Sequence, residues 1–249
     1  MVAILTLATG AAEAARTFTV VNSCSFTIWY IFTDLHVATN VPDFPTGWEA
    51  GPGTTFEFQV PDNWKAGRIW GRRDCDFAGN MYGGPSTCLS GGCNGGYQCD
   101  PHTGIGVPPV TLAQWNLDEG GSDWYYISLI DGFNLPMSNT NNVGCPVAEC
   151  AVDLVRDCPK ALEGPYTTNG WPIGCKSACL ANLNGNQANS PDCCTGQYST
   201  PKTCPASGVT FRQYFKSSCP SALTYAYDDA ALLTCPSYNS AGYTVTFCP

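Results

Sequence analysis

The sequence is poor in charge. Lys, Arg, Asp and Glu make up 12% of its 249 residues, with 11 basic against 20 acidic side chains and a formal net charge of −9. So few basic residues raise no field that would attract a phosphate backbone or an anionic membrane surface, which excludes nucleic acid and acidic lipid as partners. A neutral or basic partner fits better. Histidine is nearly absent, at His36 and His102, and no C-x2-C pair occurs to join either in a zinc site. No metal or cofactor is expected. No apolar run approaches the roughly 18 residues that cross a bilayer. Serine-hydrolase, zincin and nucleotide-binding signatures are all missing, as are an N-glycosylation sequon and any internal repeat.

What the chain has instead is 44% hydrophobic residues, 26 Gly, 19 Pro and 16 Cys. That much apolar surface excludes a disordered chain. The Gly and Pro content indicates many turns between short strands. Sixteen cysteines spread from Cys24 to Cys248 would be reduced in a cytosol, so they point to an oxidising compartment and a secreted protein. The run Val2 to Ala15 is apolar, alanine-rich and ends in Ala12-Glu13-Ala14. It has the look of a signal-peptide remnant with an A-x-A cleavage site, though without the basic leader. Residues 1–15 are therefore set apart from a domain covering 16–249.

Period-2 alternation marks strands at both ends: Thr17 to Val20, Phe56-Phe58-Val60, and Tyr243-Val245-Phe247. The denser runs Phe26 to Phe32 and Trp124 to Ile130 read as strands buried on both faces. Two Cys-rich excursions interrupt the pattern. One spans about 71–101 and holds four cysteines; the other spans about 145–219 and holds nine. Within the second, Cys175, Cys179, Leu180 and Leu183 share a helical face that stops at Asn184-Gly185, and Phe211, Tyr214 and Phe215 share another. The reading is all-β, a sandwich with two stapled excursions.

Several segments resemble one family. They are Gly67-Arg68-Ile69-Trp70-Gly71-Arg72, Ser128-Leu129-Ile130-Asp131-Gly132-Phe133-Asn134-Leu135-Pro136, Gly174-Cys175-Lys176-Ser177-Ala178-Cys179, Tyr214-Phe215-Lys216-Ser217-Ser218-Cys219-Pro220, Tyr225-Ala226-Tyr227-Asp228-Asp229 and Thr246-Phe247-Cys248-Pro249. With the order of the cysteines, they make the chain similar to the thaumatin-like proteins over residues 16–249. Spacing alone leaves about two million cysteine pairings open. The resemblance implies one of them: Cys24–Cys248, Cys75–Cys88, Cys93–Cys99, Cys145–Cys235, Cys150–Cys219, Cys158–Cys175, Cys179–Cys193 and Cys194–Cys204. It also implies a flattened β-sandwich with a disulfide-rich helical subdomain and a small looped subdomain, leaving a cleft beside the sandwich.

Thaumatin-like proteins commonly line that cleft with one arginine, one glutamate and three aspartates. Here the resemblance places Arg68, Asp131 and Asp229 at three of the positions, but Gln114 at the glutamate and Tyr126 at the remaining aspartate. In addition, Gly92 stands where many relatives carry an aspartate. Glycoside hydrolysis needs two carboxyl groups, about 5–5.5 Å apart for retention or about 6.5–9.5 Å for inversion. Asp131 and Asp229 are the surviving catalytic pair, with Arg68, Gln114 and Tyr126 as binding residues. Asp118, Glu119 and Asp123 lie near the lost positions and are candidates to replace them. Two alternatives stay open: Arg68, Asp131 and Asp229 can equally form a salt-bridge cluster that joins subdomains, and Tyr126 can be a sugar platform or core. Trp115, Trp124 and Tyr125 are read as core.

The resemblance thus implies a weak endo-β-1,3-glucanase of cell walls, in wall remodelling or as a pathogenesis-related antifungal protein. The alternative is a non-catalytic β-1,3-glucan-binding defence protein, favoured by Gln114 and Tyr126. A monomer is expected, outside the cell or in its wall.

Overall fold

A computed structural model describes residues 15–34, 42–102 and 106–249. The expected signal-peptide remnant, but for Ala15, and His36 lie outside the described residues. Among the described residues twelve strands form two sheets. In chain order they are β1 Ala15–Asn22, β2 Ile28–Asp34, β3 Gly47–Ala50, β4 Thr55–Pro61, β5 Gly67–Cys75 and β6 Cys88–Ser90, followed by β7 Leu112–Glu119, β8 Ser122–Ser128, β9 Met137–Asn141, β10 Ala148–Cys150, β11 Leu233–Pro236 and β12 Tyr243–Phe247. The five-stranded sheet runs β10-β9-β12-β1-β4, with β1 and β12 parallel. The seven-stranded sheet runs β11-β8-β7-β5-β2-β3, and β6 pairs with β5.

Alternation explains the layering. Phe18, Val20, Phe58, Val60, Tyr243, Val245 and Phe247 point from the smaller sheet into one buried cluster, where they meet Tyr30, Phe32, Ile69, Trp115, Tyr125 and Ile127 from the larger. Residues of opposite parity on the larger sheet face outward. Part of that outer face carries a second core, in which Ile31, Trp70, Val110 and Leu112 pack with Cys93 and Cys99 of the first Cys-rich excursion. Arg72 helps to clamp it, donating to the carbonyls of Gly96 at 2.5 Å and Tyr97 at 2.8 Å, with Phe77 under its guanidinium. Burial lowers the Arg72 pKa to about 9. Gly92 also has a structural reason: a Cβ there would sit 1.9 Å from the Pro85 carbonyl oxygen, so an aspartate could not replace it without moving the loop.

The eight disulfides are those implied by the resemblance, and no cysteine is free. Cys24–Cys248 joins the two chain ends across 224 residues. Among the described residues no helix is long and apolar enough to cross a membrane.

Two local expectations are corrected. Among the described residues the one α-helix is α1, Arg212–Ser218, which carries Tyr214 and Phe215; Phe211 precedes it as a left-handed cap at φ 58°. The segment expected to form a helix from Cys175 to Leu183 is a series of turns instead. Cys175 is held in extended backbone pairing with Phe133, and Asn182 adopts φ 52°. The second correction concerns Trp124 to Ile130. Strand β8 alternates rather than being buried on both faces: Asp123, Tyr125 and Ile127 are buried, Trp124 is exposed and Tyr126 half-buried.

Candidate functional site

Register brings three of the five sequence-selected cleft residues into one row. Arg68 on β5 pairs with Gln114 on β7, and Gln114 pairs with Tyr126 on β8. All three are half-buried on the outer face of the larger sheet, beyond the part covered by the second core. The Gln114 amide orientation that satisfies both its ends makes a ladder. Its oxygen accepts from Arg68 Nε at 2.5 Å and Nη2 at 3.2 Å, and its NH2 donates to Tyr126 Oη at 3.1 Å. A glutamate and an aspartate in this row would cancel the arginine charge. Here Gln114 holds the guanidinium by hydrogen bonds and Tyr126 completes Gln114, so within the row no carboxylate meets the charge, and the acid coupled to it is Asp131.

Burial lowers the pKa of Arg68, with Tyr126 and Asp131 acting in the opposite direction. Burial likewise raises Tyr126 above the ordinary phenol value while Arg68 pulls it down, so the hydroxyl is neutral. Asp131 follows the C-terminal end of β8 and is held from both sides. Its carbonyl accepts from Val110 N at 3.3 Å, and the next pairing exchanges two 2.8 Å bonds between Phe133 and Cys175. Gly132 turns the chain between them at φ 88°, with no room for a Cβ against the Cys175 carbonyl oxygen, 2.7 Å away. Burial raises the Asp131 pKa and the Arg68 charge draws it back. A carboxyl so placed keeps its proton to higher pH than a free aspartate, the property a general acid needs.

Asp229 lies on a loop attached to the edge of β8. The chain leaves the edge of β8 at Leu223, which bonds to Ile127 and Leu129, and rejoins it where Leu233 pairs with Tyr125. The loop therefore begins and ends on either side of Tyr126, with Asp229 exposed near its middle. Its neighbour Asp228 fixes the loop. The Asp228 carboxylate accepts from Thr224 N at 3.0 Å and Oγ1 at 2.8 Å, and pairs with Arg212 at 3.2 Å and Lys216 at 3.1 Å. Burial alone would raise its pKa, but the Thr224 hydrogen bonds and Lys216 outweigh burial and hold it below the usual aspartate value. Of two adjacent acids, one anchors the loop and the other faces solvent.

The substitute acids fare differently. Asp123 is fully buried on the opposite, inter-sheet face, where it binds Arg16 at 2.8 Å and the Tyr243 hydroxyl at 2.9 Å, so it cannot serve the cleft. Glu119 pairs with Lys65 at 2.7 Å. Asp118 sits at an irregularity of β7 with φ 50°, its N–H bonded to Asp123. Trp115 and Tyr125 are core, as expected; Trp124 is not, being 37% exposed on the face that carries Tyr126. Its i, i+2 spacing from Tyr126 was the available signal, hidden by the density of aromatics around it. Among the described residues no group of three or more His, Cys, Asp or Glu side chains is arranged to hold a metal ion.

The row thus offers a positive charge, amide and phenol hydrogen-bonding groups and two partly open rings, with the half-buried Asp131 carboxyl coupled to its arginine. Residues 22–249 match the family described as the Thaumatin family. Pathogenesis-related thaumatin-like protein 3.5 of Cryptomeria japonica is 39% identical, over 94% of this chain and 90% of its own. Pathogenesis-related protein 5 of Arabidopsis thaliana is 36% identical, over 98% and 94%. A protein of Prunus avium named glucan endo-1,3-beta-glucosidase is 34% identical, over 98% and 94%.

Proposed function

Because the chain belongs to the thaumatin family, we propose that it is a secreted, monomeric defence protein that binds β-1,3-glucan of cell walls on the outer face of the larger sheet. The observation that carries this reading is the hydrogen-bonded ladder from Arg68 through Gln114 to Tyr126. Sugar hydroxyls both donate and accept, so guanidinium, amide and phenol can meet them in one row. The Tyr126 and Trp124 rings offer faces for the apolar side of a pyranose. Eight disulfides suit a protein that must persist outside the cell. No cofactor is needed for binding.

A second reading, weak endo-β-1,3-glucan hydrolysis, is favoured by the raised Asp131 pKa and by the name of the Prunus avium relative. In it, Asp131 protonates the glycosidic oxygen and the exposed Asp229 acts as base or nucleophile. Only these two carboxyls remain of the family's four, and Gln114 cannot move a proton in place of a glutamate.

Incubating the pure protein with laminarin and with insoluble β-1,3-glucan separates the readings. Retention on the insoluble glucan without new reducing ends is the expected result. Reducing ends that disappear in Asp131→Asn and Asp229→Asn would establish hydrolysis, and failure of both retention and release would discard glucan altogether.

A further inference from the structure

A second groove lies on the larger Cys-rich excursion and shares no residue with the Arg68 row. It is a cavity of about 530 Å³ whose walls include Arg73, Arg156, Lys160, Glu163, Tyr166 and Trp171, within the range of small-ligand sites. Arg73 has odd parity on β5, so it leaves the sheet on the side opposite Arg68. Two aromatic rings border the groove. Trp171 is 73% exposed and Tyr166 42%.

These rings sit on fixed backbone. The chain doubles back between them, with Thr167 N bonded to Trp171 O at 2.8 Å, Gly170 N to Thr167 O at 2.9 Å and Ile173 N to Pro165 O at 2.9 Å. Thr167 Oγ1 also accepts from Trp171 N at 3.1 Å. A ring carried on fixed backbone loses less conformational entropy on receiving a ligand than one whose backbone must also be ordered.

The polar groups are equally defined. Glu163 accepts from Lys160 Nζ at 2.7 Å and from Tyr166 Oη at 3.0 Å. Arg156 stands 3.5 Å from Asp157, and Arg73 is coupled to Asp74 and Asp153 while donating to the carbonyls of Asn134 and Ile173. Each cation has an acid beside it. In a chain of net charge −9 the groove is locally balanced, so it selects neither for an anion nor for a cation. Donors, acceptors and the exposed Trp171 ring remain, while Lys160 Nζ stands over the Tyr166 ring, 5.9 Å from its centroid. That combination matches a neutral sugar, whose hydroxyls take both hydrogen-bonding roles and whose ring carries an apolar CH face.

We propose that this groove is a second carbohydrate site that takes neutral oligosaccharides of equatorially substituted pyranoses, with one sugar face stacked on Trp171. The proposal stands on the groove's own residues and does not require the sheet face to bind glucan.

Titration of the full chain with cellohexaose and with laminarihexaose, followed by amide NMR, tests it. At least one of these hexaoses is expected to move the signals of Tyr166, Gly170 and Trp171 saturably, unchanged by added salt and unchanged in Arg68→Met. In Trp171→Ala, whose exposed position spares the core, the affinity read from Tyr166 and Gly170 should fall about tenfold. A groove signal in the parent protein while sheet-face signals stay still would support this site and sink the other. The proposal is overturned if neither neutral hexaose moves these signals, if only an oligogalacturonate does, or if Trp171→Ala binds as well as the parent protein.

Discussion

Arg16 on β1 and Arg68 on β5 are both strand arginines withdrawn from water, yet their surroundings differ. Arg16 is 2% exposed and meets two carboxylates, Asp62 and Asp123, as well as the Ser237 carbonyl. Asp123 is itself completed by the Tyr243 hydroxyl and the Asp118 N–H. Burial would lower the Arg16 pKa, but its two acids outweigh burial and raise it. Arg68 bonds to the Gln114 amide, and burial prevails over the nearby Tyr126 and Asp131 to lower it. Charge that is matched inside the protein holds the sheets together. Charge held by neutral groups remains available to a ligand.

The comparison breaks most sharply at Asp123. Asp123→Ala leaves a buried phenol unpaired and strips a buried guanidinium of one of its two acids, so it should cost about 3–5 kcal/mol in chemical denaturation. Gln114→Ala, on the half-buried row, should cost about 1 kcal/mol or less. Equal costs would mean that the Arg68 row is as structural as the Arg16 cluster.

Restoring the missing acids sharpens it next. The double variant Gln114→Glu, Tyr126→Asp supplies Arg68 with carboxylates and the cleft with proton-transfer groups. Reducing ends should then be released from laminarin where the parent chain releases none. No rise would show that those two positions are not what limits hydrolysis.

The acids of the two loops have opposite pH signatures. Asp228 has a lowered folded pKa, so its stabilisation is present above the unfolded value and is lost as pH falls through the folded one. Asp131 has a raised folded pKa, so its contribution is present below the unfolded value and is lost as pH rises through the folded one. Melting curves across acidic pH should therefore show Asp228→Asn less stable than the parent at neutral pH, with the gap closing in acid. Asp131→Asn should match or exceed the parent at neutral pH, the smaller effect of the two. A neutral-pH loss in Asp131→Asn as large as that in Asp228→Asn would place Asp131 among the structural acids.

Much of the scaffold was legible in the chain. Alternation at residues 17–20, 56–60 and 243–247 found strands β1, β4 and β12, because each has one face in the core and one outside. Cysteine pairing was legible through family resemblance alone, since spacing cannot choose among so many connections. The false helix at 175–183 had apolar spacing of the right period, but extended pairing at Cys175 and a left-handed Asn182 prevailed over it. At the site, residue types at the family positions located Arg68, Gln114 and Tyr126, while the ladder needed the register of three strands. Nothing in Asp228-Asp229 tells which acid is buried. That depends on Arg212 and Lys216 of α1, brought there by tertiary packing.

The central claim is that Arg68, bonded to the neutral Gln114, binds β-1,3-glucan together with the rest of its row. Its most direct test is retention on insoluble β-1,3-glucan in a Trp171→Ala background, which removes the second groove from the measurement. The account expects the Trp171→Ala protein to be retained and its Arg68→Met derivative to bind about tenfold more weakly, a loss in the range of hydrogen bonds to a charged group. Equal retention of the two proteins would contradict it.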